Sequence, residues 1–433
     1  MSLADDANLL LIPTGYKAEK LYSIFPTSGV GDFDFARTTT ATRVAKNGLI
    51  TTVGTNVPRL NYDILDGEVV GCPHLLLEPE RTNLIQYSED FSNAYWIKSG
   101  SSIVSNNVIS PDGSLNASKL VEDTANSDHS IYRTFTGLTS AVYTISAYVK
   151  KGERHKCALA DRNTGVYVSF DLNNATIIEE SLTVGNIESL PNGWYKLSAT
   201  TSNALTTFVP QIFVLEDSYT TGTPILLPYI GDGTSGIYIY GAMLEQGSYS
   251  TSYIKSNSGS PTTRAAETCN GSGNAATFND SEGVLMAEIS ALVNDNNFKS
   301  ISVSESNADN RITLSLYQGS LFAYIADGGV GQFNVSQSVG SVLEFHKTAI
   351  KYKANDCAFW IDGFEVAINT SPTTMPSGLK ELAFDQGNGG DKFYGKTKQI
   401  QYHSTVLSDS NLEKLTSWTS FEDMAQSQLY TIQ

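Results

Sequence analysis

Apolar and polar residues alternate with a period of two along most of the chain, and helical spacing is almost absent. In residues 142–149, Tyr143, Ile145, Ala147 and Val149 fall on one face, while Thr144 and Ser146 fall on the other. Ile237, Tyr238, Ile239 and Tyr240 alternate in the same way. This is the signature of strands with one face toward a core. Turn signals separate the runs at Pro111-Asp112-Gly113, Asn173-Asn174, Pro191-Asn192-Gly193 and Gly231-Asp232-Gly233. Many short strands between turns predict a jelly roll over residues 81–263.

Before it, the apolar run Leu75, Leu76, Leu77 breaks at Glu78-Pro79-Glu80 and resumes at Leu84 and Ile85. Proline has no N–H for a central ladder, so this break reads as a strand end and a seam between regions. Residues 1–80 hold one clear hairpin, 41–46 and 49–54 about Asn47-Gly48, for which a type I′ turn is expected. So short a segment struggles to build a core alone. It must pack against its own body, another copy or a docking partner. We therefore expect a small β-containing docking or assembly region at 1–80.

After the jelly roll, the Ser/Gly/Pro/Thr stretch 256–263 reads as a linker, and residues 264–433 as a second sandwich. Its signals are a strand at 284–289, a hairpin reversing near Gly319, and a sharper hairpin about Asp362-Gly363. Ser410 and Glu413 have capping-box spacing and predict one short helix through Leu415. The fold class expected is all-β, with two β-sandwich domains in tandem.

The formal charge of −17 argues against a nucleic-acid partner, which needs a basic footprint, and against an anionic membrane. No window approaches the roughly 18 apolar residues of a membrane-spanning helix, so no insertion is expected. No Lys or Arg precedes the first apolar run, unlike a secretory signal. The cysteines Cys72, Cys157, Cys269 and Cys357 are too widely spaced for a metal site or disulfide framework and read as free, mostly buried thiols.

No catalytic constellation is visible. The lone G-x-G-x-x-G at 231–236 runs into a strand rather than a helix, so it reads as a turn. A glycosidase needs two carboxylates across a cleft, and Glu179-Glu180, Glu216-Asp217 and Glu422-Asp423 are adjacent pairs that point to opposite strand faces. The five histidines are scattered. No cofactor is expected beyond a structural Ca²⁺ at the loop 294–297 (Asn-Asp-Asn-Asn), against which stands the reading of an ordinary polar loop. Sugar recognition through aromatic faces and hydrogen-bonding side chains is harder to set aside. Arg154, His155, Arg162 and Tyr167 flank one strand pair of the jelly roll, and Tyr317, Phe322 and Tyr324 border the hairpin of the last block. These seven are the ligand-binding candidates, weighed against cross-strand packing. Trp96, Trp194 and Trp360 lie in apolar contexts and read as structural.

The stretch RTNLIQYSEDFSNAYW at 81–96 closely resembles a module of tailed-bacteriophage virion proteins of the head-spike or tail-fibre type. The likeness extends through DFARTTTATR (34–43), NVPRLNY (56–62), LLLEP (75–79), SPDG (110–113), PNGWY (191–195), GAMLE (241–245), TSYI (251–254) and TRAAE (263–267). Together these segments cover most of residues 30–267. More loosely, WIDG (360–363) and LSDSNLEKL (407–415) resemble a concanavalin A-like or laminin G-like sandwich.

The resemblance implies a virion component with a carbohydrate-binding-type jelly roll and a lectin-like sandwich. It would be a non-enzymatic fibre, spike or capsid-decoration subunit, commonly a homotrimer, with other virion proteins as partners and a host-surface glycan as ligand. The alternative is a virion depolymerase that cleaves polysaccharide.

Overall fold

A computed structural model describes residues 3–181, 183–371, 374–420 and 423–425. The chain is all-β, as the alternation predicts, with one short α-helix at Asp409–Thr416 among the described residues.

The jelly roll pairs two six-stranded antiparallel sheets. One runs Ile97–Ser99, His129–Tyr132, Pro210–Leu215, Lys156–Asp161, Val166–Asp171, Thr176–Ser181. The other runs Ser101–Ile109, Leu115–Glu122, Gly236–Gln246, Tyr143–Lys151, Trp194–Thr201, Thr183–Leu190. Tyr143, Ile145, Ala147 and Val149 enter the core between them with Ile237 and Ile239, as their spacing requires. The opposite face of that second sheet is also buried. Tyr148, Trp194, Tyr240 and Met243 form a separate cluster there with Ile50, Tyr253 and Ile254. A strand buried on both sides explains why Thr144 and Ser146 are as inaccessible as their apolar neighbours.

The last block packs an eight-stranded sheet on a five-stranded one. Three strands of residues 1–80 belong to this sandwich, while the 41–54 hairpin packs on the jelly roll. Leu9–Leu11 and the end of Glu68–Leu77 both pair with Gly395–His403, and Leu60–Leu65 extends the sheet. Leu9, Leu11, Leu60, Leu75 and Leu77 lie in one core with Leu285, Ile289 and Ile400. Of the three neighbours left open for this region, the observed one is its own body.

Three local expectations change. The 41–54 hairpin forms, but only Gly48 has positive φ (76°). Gly48 N–H donates to Ala45 O at 2.8 Å and Ala45 N–H donates to Leu49 O at 2.9 Å, so residues 46–48 form a three-residue loop rather than a type I′ turn. Asp362 and Gly363, both at positive φ, do make the two-residue turn expected. The helix starts after Ser408, two residues before the capping-box position, and no side chain caps it. Its Leu412 and Leu415 settle on Met286, Ala349 and Trp360, so packing rather than capping positions it. The stretch read as a linker is tied down: Ser88 N–H donates to Ser256 O at 2.6 Å, and Thr262–Arg264 pairs with Arg81–Asn83.

The other readings hold. Cys157, Cys269 and Cys357 are buried free thiols, and Cys72 is free and exposed. Trp96, Trp194 and Trp360 are buried.

Candidate binding site

The break at Glu78-Pro79 becomes a buried ionic cluster. Arg59 donates from Nε to Glu267 at 2.9 Å and from Nη1 to Glu78 at 2.7 Å, and its Nη2 also reaches Glu267. Arg37 Nη1 meets Glu267 at 2.6 Å, and Arg264 Nη1 meets Glu78 at 2.8 Å. Ser252 donates to Glu78 from both its N–H and its hydroxyl. Remaining guanidinium donors go to the carbonyls of Thr39, Gly54, Val57, Thr42 and Pro79. Charges out of water are tolerated when paired and hydrogen-bonded, and each charge here is paired, although the Arg264 Nε has no partner among the described residues. Burial alone would raise the Glu78 carboxyl, but Arg264, Arg59 and the Ser252 bonds outweigh it and hold the group far below the usual carboxylate range.

These residues come from DFART, NVPRLNY, LLLEP, TSYI and TRAAE, so segments scattered over 230 positions (Arg37 to Glu267) meet at one point. Other resembling segments converge nearby. Asn83 donates to Ala242 O and Ile254 O and accepts from Leu244 N–H. Ser88 and Glu89 bond the Tyr253 hydroxyl. Gly48 lies against Pro191, and Gly113 against Leu49. The recognisable residues therefore cover the outer face of the Gly236–Gln246 sheet.

The outer face of the opposite jelly-roll sheet is the more open one. Tyr132, Gln211, Ala160 and Tyr167 stand side by side across four strands. Beside them Asp128 accepts from Ser130 Oγ (2.9 Å), Ser99 Oγ (3.2 Å) and Arg162 Nη1 (3.2 Å). The Arg162 guanidinium lies 4.8 Å from the Tyr132 ring centre. Gln211 gives its Nε2 to Ser130 Oγ at 2.7 Å and keeps a buried Oε1 with no partner among the described residues. The half-exposed Asp128, Arg162 and Tyr132 put a carboxylate, a guanidinium and an aromatic face at one end of the sheet, groups that can bind a polyhydroxylated ligand.

The predicted residues divide. Arg162 belongs to this group. Tyr167 is in the same row, but Tyr219 and Ile225 pack over it, and its hydroxyl is given to Glu179 at 3.0 Å. Arg154 and His155 lie at the other end of Lys156–Asp161. There Arg154 makes a two-pronged bond to Glu122 (3.0 and 2.7 Å), and His155 Nδ1 is 2.9 Å from Asp217. Burial would raise Glu122, but Arg154, the Asp232 amide and the Tyr229 hydroxyl outweigh it and keep it ionised. This pair braces the loop 231–236.

In the last block Tyr317 stacks on Phe298 at 4.1 Å and 10°, with Phe322 edge-on to both. Tyr324 lies under Arg311, 5.0 Å from its ring centre. The three predicted aromatics thus share the outer face of the five-stranded sheet, satisfied largely by one another.

Sequence reading missed Asp128, Tyr132 and Gln211. The available signal was Gln211 itself, a polar residue inside an apolar run on the parity of Phe213 and Leu215. Among the carboxylate pairs, Glu179 and Glu180 serve different partners, Tyr167 and the Gly185 amide; Glu422 lies outside the described residues. The loop 294–297, weighed as a Ca²⁺ site against an ordinary polar loop, does not present its carboxylate, because Asp295 accepts Lys299 Nζ at 2.5 Å and Asn297 N–H at 3.1 Å. The donor set is consumed internally, so it does not fit the ion.

Neither a family model nor a curated protein matches the chain. Among solved structures, it is similar to the CBM40 of the Ruminococcus gnavus IT-sialidase bound to alpha2,3 sialyllactose, at 15% identity and TM-score 0.29, covering 34% of this chain and 92% of that one. Domains LG4-5 of the mouse laminin alpha1 chain align at 10% identity and TM-score 0.22, covering 65% of this chain and 89% of that one. A GH54 α-L-arabinofuranosidase mutant aligns at 10% identity and TM-score 0.28, covering 82% and 63%. The functional reading rests on this chain's own residues.

Proposed function

We propose that this chain is a structural surface protein of a bacteriophage virion, a fibre, spike or decoration subunit, whose open jelly-roll face binds surface glycans. The observation that supports it is the convergence of the virion-type segments on one buried cluster: a module whose recognisable residues meet in space is present as a whole. The two sandwiches would be held as one projecting unit, with residues 1–80 forming part of the end that meets the particle or sister subunits, in a homo-oligomer expected to be a trimer.

The test has two arms. Antibody raised against the purified protein should decorate intact particles, and a glycan array of bacterial surface polysaccharides should show binding that Arg162→Ala removes. Particles that lack the protein would overturn the virion assignment. An array that stays blank would overturn glycan binding.

A further inference from the structure

The arginines of the virion-type segments are engaged in the architecture, with one exception. Arg37, Arg59 and Arg264 are held in the ionic cluster, and Arg81 donates to Glu80 O and lies against Tyr249. Arg43, from the same run as Arg37, makes no ion pair or hydrogen bond with any described residue. Its Nε is buried without a partner, as are those of Arg81 and Arg264. Unlike them, Arg43 has no partner for its other guanidinium nitrogens among the described residues either, and its charge sits 5.7 Å from the centre of the Tyr16 ring. A half-buried guanidinium has five donors to satisfy, and leaving them unmatched is costly.

Arg43 stands in the wall between two hollows. One is a cleft of about 570 Å³ between the sandwiches, reaching Asn186, Glu188, Lys196 and Tyr249. The other, about 400 Å³, holds Tyr16 and Lys46. Arg43 and Tyr62 line both. Volumes of this order suit small-molecule sites, which favour the junctions between domains.

The charge pattern says which kind of molecule. The cleft's Asp63 is neutralised by Lys396 at 2.8 Å, and its Glu78 by Arg59 and Arg264. Glu188, which accepts the Asn186 amide at 2.8 Å, and Asp66 also line that cleft and keep it acidic. Arg43, Lys46 and Lys196 have no carboxylate within ion-pair distance among the described residues; Lys196 Nζ is satisfied by Thr251 O at 2.9 Å. Arg43 and Lys46 line the smaller groove with Tyr16 and Tyr62 and no carboxylate, so in a chain of charge −17 it is a place for an anion with a sugar-like body. Arginine's planar fork matches a carboxylate.

We propose that this groove binds an acidic saccharide, with Arg43 holding a carboxylate and Tyr62 beside the sugar ring. It rests on the glycan-binding reading but names a different site and a charged ligand. The experiment is calorimetric titration of the full-length protein with oligogalacturonate and with a malto-oligosaccharide of equal length, in wild type, Arg43→Ala, Arg43→Lys and Arg162→Ala.

Oligogalacturonate should bind, lose at least tenfold in affinity in Arg43→Ala, lose part of that in Arg43→Lys, and be unaffected by Arg162→Ala. Because the Arg43 side chain makes no ion pair or hydrogen bond and only the Tyr16 contact is lost, its variants should melt within a few degrees of the wild type, so a loss of binding is not a loss of fold. No binding of oligogalacturonate, equal binding by Arg43→Ala, or equal affinity for the neutral chain would overturn the proposal. Neutral binding lost only in Arg162→Ala would leave the open face standing and this site refuted. The reverse pattern would refute the open face alone.

Discussion

The two outer faces of the jelly roll are built from the same kind of alternating strand and end up in opposite conditions. On the Gly236–Gln246 sheet, the outward Tyr148, Trp194 and Tyr240 are sealed beneath the 41–54 hairpin and the 251–254 segment. On the Pro210–Leu215 sheet, Tyr219 and Ile225 cover only one part, and Asp128, Tyr132 and Arg162 stay half-exposed. The sealed face holds the residues that make the sequence recognisable; the open face holds the ones that can meet a ligand. A family-like motif here marks architecture. The open-face candidates Asp128, Tyr132 and Arg162 carry no motif, whereas Arg43 and Tyr62 are motif positions that the architecture leaves unused.

The sharpest way to break this comparison is to remove the seal. A chain starting at Arg81 loses Leu9, Leu11, Leu60, Leu75 and Leu77 from the core of the last block and strips three strands from its large sheet. That block should fail to fold, seen as loss of cooperative melting and of protease resistance over 264–433. Arg59→Ala comes next. It leaves the buried Glu267 and Glu78 short of their main partner, and breaking a buried pair costs about 3–5 kcal/mol, to be read by denaturant unfolding. Leu75→Ala, at a position with no exposure, should cost about 2–5 kcal/mol by the same measurement.

Acid sharpens the contrast. Glu78 has a folded-state pKa depressed below its ordinary 4.5. Its contribution is therefore complete above that value and is lost as pH falls toward the folded one. Wild type should melt above Glu78→Gln at neutral pH, with the gap closing as pH drops below 4.5. The smallest stability effect belongs to the open face. The Arg162–Asp128 pair is partly solvated, with side-chain exposures of 33% and 17%, so Arg162→Ala should cost no more than about 1 kcal/mol while abolishing glycan binding on an array.

Much of the fold was legible because period-two alternation and turn chemistry are local. The strands at 142–149 and 237–240 and the Asp362-Gly363 turn needed no long-range knowledge. What escaped was the fate of the second face of each strand. Nothing in Thr144, Ser146 or Tyr148 announces that a hairpin a hundred residues earlier will cover them. The same holds for residues 1–80, whose leucines look too few for a core until Gly395–His403 supplies the partner strand. At the candidate site Arg162 was visible as a charge flanking a strand pair. Its partners Asp128, Tyr132 and Gln211 come from other strands and meet only through sheet register. Tyr167 was misleading because sequence does not show that Tyr219 will lie over it.

The ionic cluster is expected to join the two sandwiches into one cooperative body. Calorimetric melting of the full-length protein beside Glu267→Gln tests this directly. One transition is predicted for wild type, with the whole transition moved to lower temperature in the variant. Two separated transitions in wild type, of which Glu267→Gln shifts one or neither, would contradict it.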